Sequence, residues 1–240
     1  MIVYGRNPVR EALRGRRRVS RVWATEPALR SAHLPQPPAG PPIERVAADA
    51  DIERMCGSPD HQGVCADAGD YPYASADGLL EAEDALVVVL DQVQDPRNLG
   101  AVCRVAEGAG AAGVVVPERR SSAVTPAACS ASAGAVEHLP VARVANVARF
   151  LDGAKEVGAW VYGAAAAADV SYDVPDYSGR VVLVLGAEGR GIRPAVARAC
   201  DELVSLPLMG RVRSLNVSTA AAALLYAILH LRTPRVDSAP

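Results

Sequence analysis

The feature that most constrains the fold is a series of short apolar runs separated by helix-like stretches in the C-terminal two-thirds of the chain. The runs are rich in Val and Leu and occupy residues 85–90, 113–116, 159–162, 181–185 and 203–206. Helical stretches separate or follow them at residues 98–109, 147–157, 194–200 and 216–231. Continuous apolar strands that alternate with helices predict a parallel sheet covered on both faces, so we expect an α/β fold.

The first seventy residues predict a separate, small α/β module. Strand-like and helix-like segments succeed one another up to residue 66, interrupted by the proline-rich residues 34–42. Those prolines predict a stiff, exposed loop, because proline fixes φ and removes a backbone donor. An acidic stretch follows the module. We therefore expect domains over residues 1–70 and 85–240, joined by a linker over residues 71–84.

Composition favours a soluble, cytoplasmic protein with a substantial core. Half of the 240 residues are hydrophobic, yet no uncharged apolar run is long enough to cross a membrane, and the start lacks the apolar stretch of a secretory signal. The five cysteines are widely spaced and form no CxxC pair, which predicts neither disulfides nor a zinc site. We expect no metal and no membrane partner.

Positive charge is concentrated at the start of the chain, although the formal net charge is −2. Residues 1–30 contain eight arginines and two glutamates, a net charge of +6. Phosphate contacts depend on local rather than net charge, so this asymmetry predicts a nucleic-acid-binding face, and a solvated helix face is the alternative. The candidate binding residues are Arg6, Arg14, Arg16, Arg17 and Arg18.

Three polar or glycine-rich segments stand where an apolar strand gives way to a helix, the place where open α/β sheets bind ligands. In the first segment, Asp95-Pro96 turns the chain and Asn98 is expected to cap a helix. Arg104 follows six residues later, under two helical turns away, so its long side chain can fold back toward the helix start. The alternative is a simple cap followed by a surface arginine.

The second segment, Gly186-Ala187-Glu188-Gly189-Arg190-Gly191, follows an apolar strand, and Pro194 suits the first turn of the next helix. Its glycines allow a tight turn and close approach of the backbone to a ligand. A dinucleotide fingerprint is the alternative, but that motif opens the first strand–helix unit and has its acid about twenty residues further on.

The third segment, Ser214-Leu215-Asn216-Val217-Ser218, follows a loop shaped by Pro207 and Gly210, and Ser214 and Asn216 are candidate helix caps. Capping alone does not explain the ordered recurrence of three such segments. In this order they resemble the three motifs of the SpoU (TrmH) family of RNA ribose 2′-O-methyltransferases in the SPOUT superfamily. The ends of the first module, around Tyr4–Pro8 and His61–Val64, resemble the L30e-like substrate-binding module of the RlmB type of bacterial 23S rRNA guanosine-2′-O-methyltransferase.

The resemblance implies a C-terminal domain with a deep trefoil knot, a homodimer, S-adenosylmethionine as cofactor and large-subunit rRNA as partner. The implied catalytic residues are Asn98, Arg104, Glu188, Ser214 and Asn216. The implied cofactor-binding residues are Gly163, Leu185, Gly186, Gly189, Leu206, Leu208 and Leu215. Leu208 replaces the family's usual methionine, and Ala164 to Ala168 stand where relatives commonly offer a hydroxyl.

The implied chemistry needs a methyl group held in line, a ribose hydroxyl made nucleophilic and stabilisation of the developing alkoxide. A guanidinium stays protonated in proteins, so we expect Arg104 to stabilise the alkoxide, with a base role as the alternative. The other open alternatives are the same reaction on tRNA and a non-catalytic RNA-binding or ribosome-assembly factor of the same fold.

Overall fold

The structure is a computed structural model that describes residues 1–31, 34, 40–212 and 214–232. Most of the proline-rich loop predicted at residues 34–42 lies outside the described residues. The strands are β1 (Ile2–Tyr4), β2 (Arg21–Thr25), β3 (Ile43–Val46), β4 (Val64–Asp67), β5 (Leu86–Asp91), β6 (Gly113–Pro117), β7 (Val141–Val144), β8 (Trp160–Ala164), β9 (Val170–Ser171), β10 (Val181–Gly186) and β11 (Glu202–Ser205). The α-helices are α1 (Arg6–Arg14), α2 (Glu26–Ser31), α3 (Asp49–Cys56), α4 (Pro96–Gly108), α5 (Pro126–Ala131), α6 (Val147–Glu156), α7 (Pro194–Ala199) and α8 (Val217–Arg232).

Contacts divide the chain into two compact units that interleave along the sequence. The first unit contains residues 1–73, 95–104 and 122–140, and the second contains residues 74–94, 105–121 and those from 141 onward. The division passes through α4 between Arg104 and Val105.

The first unit is built on a four-stranded mixed sheet in the order β1-β4-β2-β3. β4 runs antiparallel to β1 and β2, whereas β2 and β3 are parallel. Successive residues of a strand face opposite sides, so Val64 and Ala66 join one apolar cluster while Cys65 packs with Ile52 in another. The small α/β module predicted from the sequence is therefore present in the first unit.

The second unit contains a seven-stranded sheet in the order β7-β6-β5-β10-β8-β11-β9, and all its pairings are parallel. All six residues of β5 and the first five of β10 are buried, as expected of strands covered on both faces. The predicted α/β class with a parallel sheet is confirmed. β5 has β6 on one side and β10 on the other, so the chain reverses its direction across the sheet there, and ligands of open α/β sheets bind at the carboxyl ends of strands near such a point.

The capping residues of α4 and α8 orient the segments that follow β5 and β11. The expectation that Asn98 caps a helix is wrong, because α4 begins at Pro96 and the residue before it is Asp95. The Asp95 carboxylate accepts the backbone N–H of Arg97 at 2.8 Å. Asn216 does cap α8, since its side-chain oxygen accepts the backbone N–H of Ser218 at 2.8 Å.

Candidate active site

A cavity of about 620 Å³ lies at the carboxyl ends of β8, β10 and β11 in the second unit. This size is typical of pockets for small molecules, which occupy roughly 300–1,000 Å³. Its walls are mainly apolar and come from five segments: residues 164–167, residues 185–192, α7, residues 203–208 in part, and the first half of α8 with the residues before it. Of the predicted cofactor-binding residues, those that line the cavity are Leu185, Gly186, Gly189, Leu206, Leu208 and Leu215.

Gly163 differs from the other predicted cofactor residues, because the lining begins at Ala164. A Cβ placed on Gly163 would lie 2.6 Å from Leu203 Cδ2 and 3.0 Å from Cys200 Sγ. The glycine at this position therefore allows β8 to pack closely against its neighbours, directly before the first residue that lines the cavity.

The glycine loop after β10 folds back tightly on itself. The backbone N–H of Gly191 donates to the carbonyl of Ala187 at 2.8 Å, and both Gly189 (φ 72°) and Gly191 (φ 65°) have left-handed conformations. A Cβ on Gly186 would lie 2.0 Å from the carbonyl carbon of Gly191. Only glycine fits at position 186, because the returning backbone occupies the space of a side chain.

Glu188 and Asn216 bring the second and third sequence segments together. The side-chain amide of Asn216 donates to Glu188 Oε1. The amide oxygen of Asn216 accepts both the backbone N–H and, at 2.6 Å, the hydroxyl of Ser218. Ser214 lines the same cavity. Two of the five predicted catalytic residues, Glu188 and Ser214, thus line the cavity, and a third, Asn216, is bonded to Glu188.

Asn98 and Arg104 lie on α4 in the first unit. Arg104 is exposed, whereas its neighbours Val102 and Cys103 are fully buried. The packing of α4 is close, because a Cβ on Gly100 would lie 2.4 Å from the carbonyl oxygen of Ala128 on α5. This contact fixes the rotation of α4 within the first unit and keeps Arg104 on its solvent side.

The basic cluster of the first unit is only partly available for RNA. Arg14, Arg16 and Arg18 are exposed, and Arg6 is half-buried with its backbone N–H bound to the side chain of Gln62. The prediction that Arg17 belongs to an exposed RNA-binding set is wrong. Its side chain is 1% exposed, and its guanidinium forms an ion pair with Glu137.

Sequence reasoning missed Asp91, the last residue of β5. Its side chain is completely buried and paired with Arg193, which follows the glycine loop. One feature of the sequence could have identified it: Asp91 is an acidic residue at the end of an otherwise apolar strand, Leu86–Asp91. A buried charge of this kind persists only with a partner, so an acid in that position indicates a bound counterpart elsewhere in the unit.

Within the described ranges, no group of three or more His, Cys, Asp or Glu side chains could hold a metal ion. No described helix is long and apolar enough to span a membrane. All five cysteines are free thiols.

Two family profiles match the chain. Residues 85–226 match the family described as "SpoU rRNA Methylase family", and residues 2–74 match "RNA 2'-O ribose methyltransferase substrate binding". A putative TrmH family tRNA/rRNA methyltransferase, YacO, of Bacillus subtilis (strain 168) is 37% identical over 241 residues, which cover 97% of this chain and 96% of that protein.

Solved structures show the same architecture. The AdoMet bound rRNA methyltransferase from Sinorhizobium meliloti has a TM-score of 0.80 and 25% identity, and the match covers 97% of this chain and 87% of that one. A structure concerning 2-OH methylation of C/U34 on tRNA has a TM-score of 0.56 and 25% identity, and the match covers 61% of this chain and 95% of that one. Since the family profile covers more than half of the chain and a full-length relative agrees with it, the protein belongs to the SpoU rRNA methylase family.

Proposed function

We propose that this protein transfers a methyl group from S-adenosylmethionine to the 2′-hydroxyl of a ribose in RNA. The observation that carries the proposal is the cavity at the carboxyl ends of β8, β10 and β11, lined by both the glycine loop and the segment before α8. The hydrogen bond between Glu188 and Asn216 joins these two segments. Family membership and the AdoMet bound relative from Sinorhizobium meliloti support the same chemistry.

The lining of the cavity suits S-adenosylmethionine. Alanine, leucine and glycine dominate it, and such apolar walls accept an adenine ring and a thioether chain. Residues 164–167 are all alanines and offer no hydroxyl, so the polar atoms of the cofactor must be met by backbone groups and by the few polar side chains of the lining, such as Ser214. The three glycines of the loop leave the backbone open at their positions, which fits this requirement.

The proposed catalytic residues form two groups with different roles: Asn98 and Arg104 on α4, and Glu188, Ser214 and Asn216 in the second unit. When bound, S-adenosylmethionine supplies an electrophilic methyl group to the ribose oxygen, and the electrons of the broken C–S bond remain on sulfur. Arg104 stabilises the negative charge that develops on that oxygen, and the proton passes to solvent or to an RNA phosphate. Glu188, Ser214 and Asn216 order the loops, and Asn98 and Arg104 contact the RNA.

For the substrate we propose a guanosine ribose in 23S rRNA, as in the RlmB type of enzyme. The rRNA methyltransferase from Sinorhizobium meliloti matches 97% of this chain, whereas the structure concerned with tRNA methylation matches only 61%. The difference favours rRNA, because this chain carries an additional substrate-binding module. In this proposal residues 1–70 position the RNA, residues 71–84 link the domains, and residues 85–240 carry the knotted catalytic domain.

We further propose that the protein acts in the bacterial cytoplasm as a homodimer that uses α8 at its interface. Leu224, Leu225 and Ile228 are buried within the second unit and belong to its core. Tyr226, at 52% exposed, and Leu229, at 38%, lie three positions apart and form an apolar part of the outward side of the same helix. Light scattering over a concentration series tests this assignment, and a monomer at all concentrations contradicts it.

Methyl transfer from labelled S-adenosylmethionine tests the proposed function. Purified protein is incubated with fragments of 23S rRNA and, separately, with tRNA, and the labelled ribose is located by its resistance to alkaline cleavage. Label in the rRNA is the expected result, and label only in tRNA would establish the alternative substrate. Cofactor binding without transfer to either RNA would indicate a non-catalytic RNA-binding factor. Mapping ribose methylation in cells that lack the protein then identifies the nucleotide.

A further inference from the structure

Asp91 and Arg193 are joined by three contacts that use both carboxylate oxygens. The backbone N–H of Arg193 donates to Asp91 Oδ2 at 2.9 Å, and the guanidinium Nε donates to Oδ1 at 2.8 Å. A terminal guanidinium nitrogen lies 2.6 Å from the same Oδ1. The main chain and the side chain of Arg193 are therefore held at one point, the buried end of β5.

The same aspartate also marks the start of the glycine loop. In the pairing between β10 and β5, Gly186 lies opposite Asp91. The chain then leaves the sheet for six residues and returns at Arg193 to the carboxylate of Asp91. All six intervening residues, from Ala187 to Ile192, line the cavity. Asp91 thus closes a loop whose whole inner stretch forms part of the proposed cofactor site.

The bond between the two residues is difficult to replace, because Asp91 has no exposed surface. A buried carboxylate without its partner has lost its hydration and has no charge or hydrogen bond to replace it. Separating Arg193 from Asp91 therefore has a high free-energy cost. Arg193 also stands directly before Pro194, the first residue of α7. The pair consequently fixes the end of the loop and the start of the following helix together.

We propose that Asp91 and Arg193 are positioning residues that hold residues 186–193 in the shape that binds S-adenosylmethionine. The inference rests on the proposed cofactor site and deepens it. Neither residue needs to touch the cofactor: their effect passes through the backbone of the loop. In metal sites, removing the contacts that support the ligands typically weakens affinity about ten- to a hundredfold, and we expect a loss of similar size when this loop loses its support.

Calorimetry with S-adenosylmethionine tests the inference on the full-length protein. Asp91→Asn removes the charge at nearly constant volume, and Arg193→Lys keeps the charge but cannot bridge the carboxylate as the planar guanidinium does. The matched control is Arg198→Gln, which changes an exposed arginine on α7. We expect about ten- to a hundredfold weaker binding in the first two variants and wild-type binding in the control.

Hydrogen exchange separates positioning from general destabilisation. Amides of residues 187–192 should exchange faster in both variants, while those of β5 and β10 keep their protection. If Asp91→Asn fails to fold, Arg193→Lys decides the question, because its side chain is 43% exposed. Wild-type affinity in a folded Arg193→Lys, or equal loosening of loop and strands, would overturn this inference alone. Absence of binding by the wild-type protein would overturn the cofactor assignment as well.

Discussion

Arg17 and Glu137, 120 residues apart in sequence, form an ion pair in which both side chains are 1% exposed. Arg17 Nε lies 2.9 Å from Glu137 Oε2, and the guanidinium stands over the ring of Tyr71 at 5.6 Å from its centroid. Burial disfavours the charge of Arg17, but hydrogen bonding to Glu137 and its charge outweigh this effect and raise the pKa of the guanidinium. The pair joins the arginine-rich segment to residues 122–140 within the first unit.

Removing one partner of this pair should be strongly destabilising. Glu137→Gln leaves the Arg17 charge buried without a counterion, and we expect the free energy of unfolding to fall by about 3–5 kcal/mol. Urea unfolding at low and high salt measures the loss, which should change little with salt because the pair is shielded from solvent. Arg14→Gln is the matched control, since Arg14 is 53% exposed and its loss should cost less than about 0.5 kcal/mol. A loss below about 1 kcal/mol in Glu137→Gln would contradict the structural role.

Gly186→Ala should abolish binding of S-adenosylmethionine, since the new Cβ would lie 2.0 Å from the backbone of Gly191. Gly189→Ala is the control in the same loop: it has no heavy atom within 4 Å of the Cβ position, and only its positive φ adds strain. We expect that strain to cost about 1–2 kcal/mol, and binding should be weakened rather than lost. Equal affinities of the two variants by calorimetry would show that the close backbone approach does not shape the site.

The sequence predicted those parts of the fold that local pattern determines. The strands β5 and β10 were recognised because their Val and Leu runs are continuous, and α8 because its apolar stretch is long and Asn216 caps it. β7 and α5 were missed because each has no more than six residues and follows no clear periodicity. The glycine loop was correctly expected to be tight, but which glycine is indispensable depends on where the chain returns.

Tertiary partners explain the remaining errors. The sequence pattern does not distinguish Arg17 from its neighbours Arg16 and Arg18. Arg17 differs in the fold because it is buried in an ion pair with Glu137. Asp91 looked like an ordinary strand end, because its partner Arg193 is 102 residues away. The predicted roles of Asn98 and Arg104 stay predictions, because they rest on the chemistry and on family resemblance rather than on contacts.

Arg104→Ala should separate chemistry from cofactor binding. Arg104 is not among the described residues that line the cofactor cavity, so the variant should bind S-adenosylmethionine as the wild type does. Loss of a preorganised charge stabiliser should slow single-turnover methylation on the order of a hundredfold to a thousandfold. Arg104→Lys should recover little, because a point charge does not reproduce the planar guanidinium.

Arg97→Ala is the control on the same helix, where Arg97 is exposed in the first turn. Its rate of methyl transfer should exceed that of Arg104→Ala by about a hundredfold or more, since a hundredfold is the smallest effect expected of a charge stabiliser. Near-normal transfer by Arg104→Ala would remove this residue from the mechanism.

Four of the five thiols should resist labelling at pH 8. Burial raises the pKa of Cys103, Cys65 and Cys200 to about 12 and that of Cys129 to about 11, so these groups stay protonated and unreactive. Cys56, half-buried at the end of α3, should react first with a thiol reagent, and Cys56→Ser should remove the fast phase.

The same shifts predict loss of stability at alkaline pH. A thiol whose pKa is higher in the folded state stabilises the fold fully below its unfolded value of about 8.5, and this contribution disappears as the pH rises toward the folded value. Urea midpoints should therefore be constant up to about pH 8 and fall above about pH 9. In the labelling experiment described above, rapid reaction of several thiols at pH 8 would contradict the burial that the structure shows.

The exposed arginines of the first module should contribute affinity for RNA through phosphate contacts. Replacing Arg14, Arg16 and Arg18 with Gln removes three positive charges while leaving the buried Arg17 pair intact. Each phosphate contact contributes about 0.7–0.9 to the slope of log affinity against log salt. The triple variant should therefore bind 23S rRNA fragments more weakly and with a slope smaller by about 2–3, while its affinity for S-adenosylmethionine is unchanged.

The matched control replaces Arg30, Arg45 and Arg54 with Gln, which removes the same charge from other exposed positions of the first unit. Its affinity should fall much less, and its salt slope should resemble that of the wild type, because a local cluster rather than net charge makes the contacts. Binding isotherms across a salt series compare the three proteins. Superimposable slopes for the wild type and both variants would mean that the cluster is a solvated helix face, and equal losses in the two variants would mean that only net charge matters.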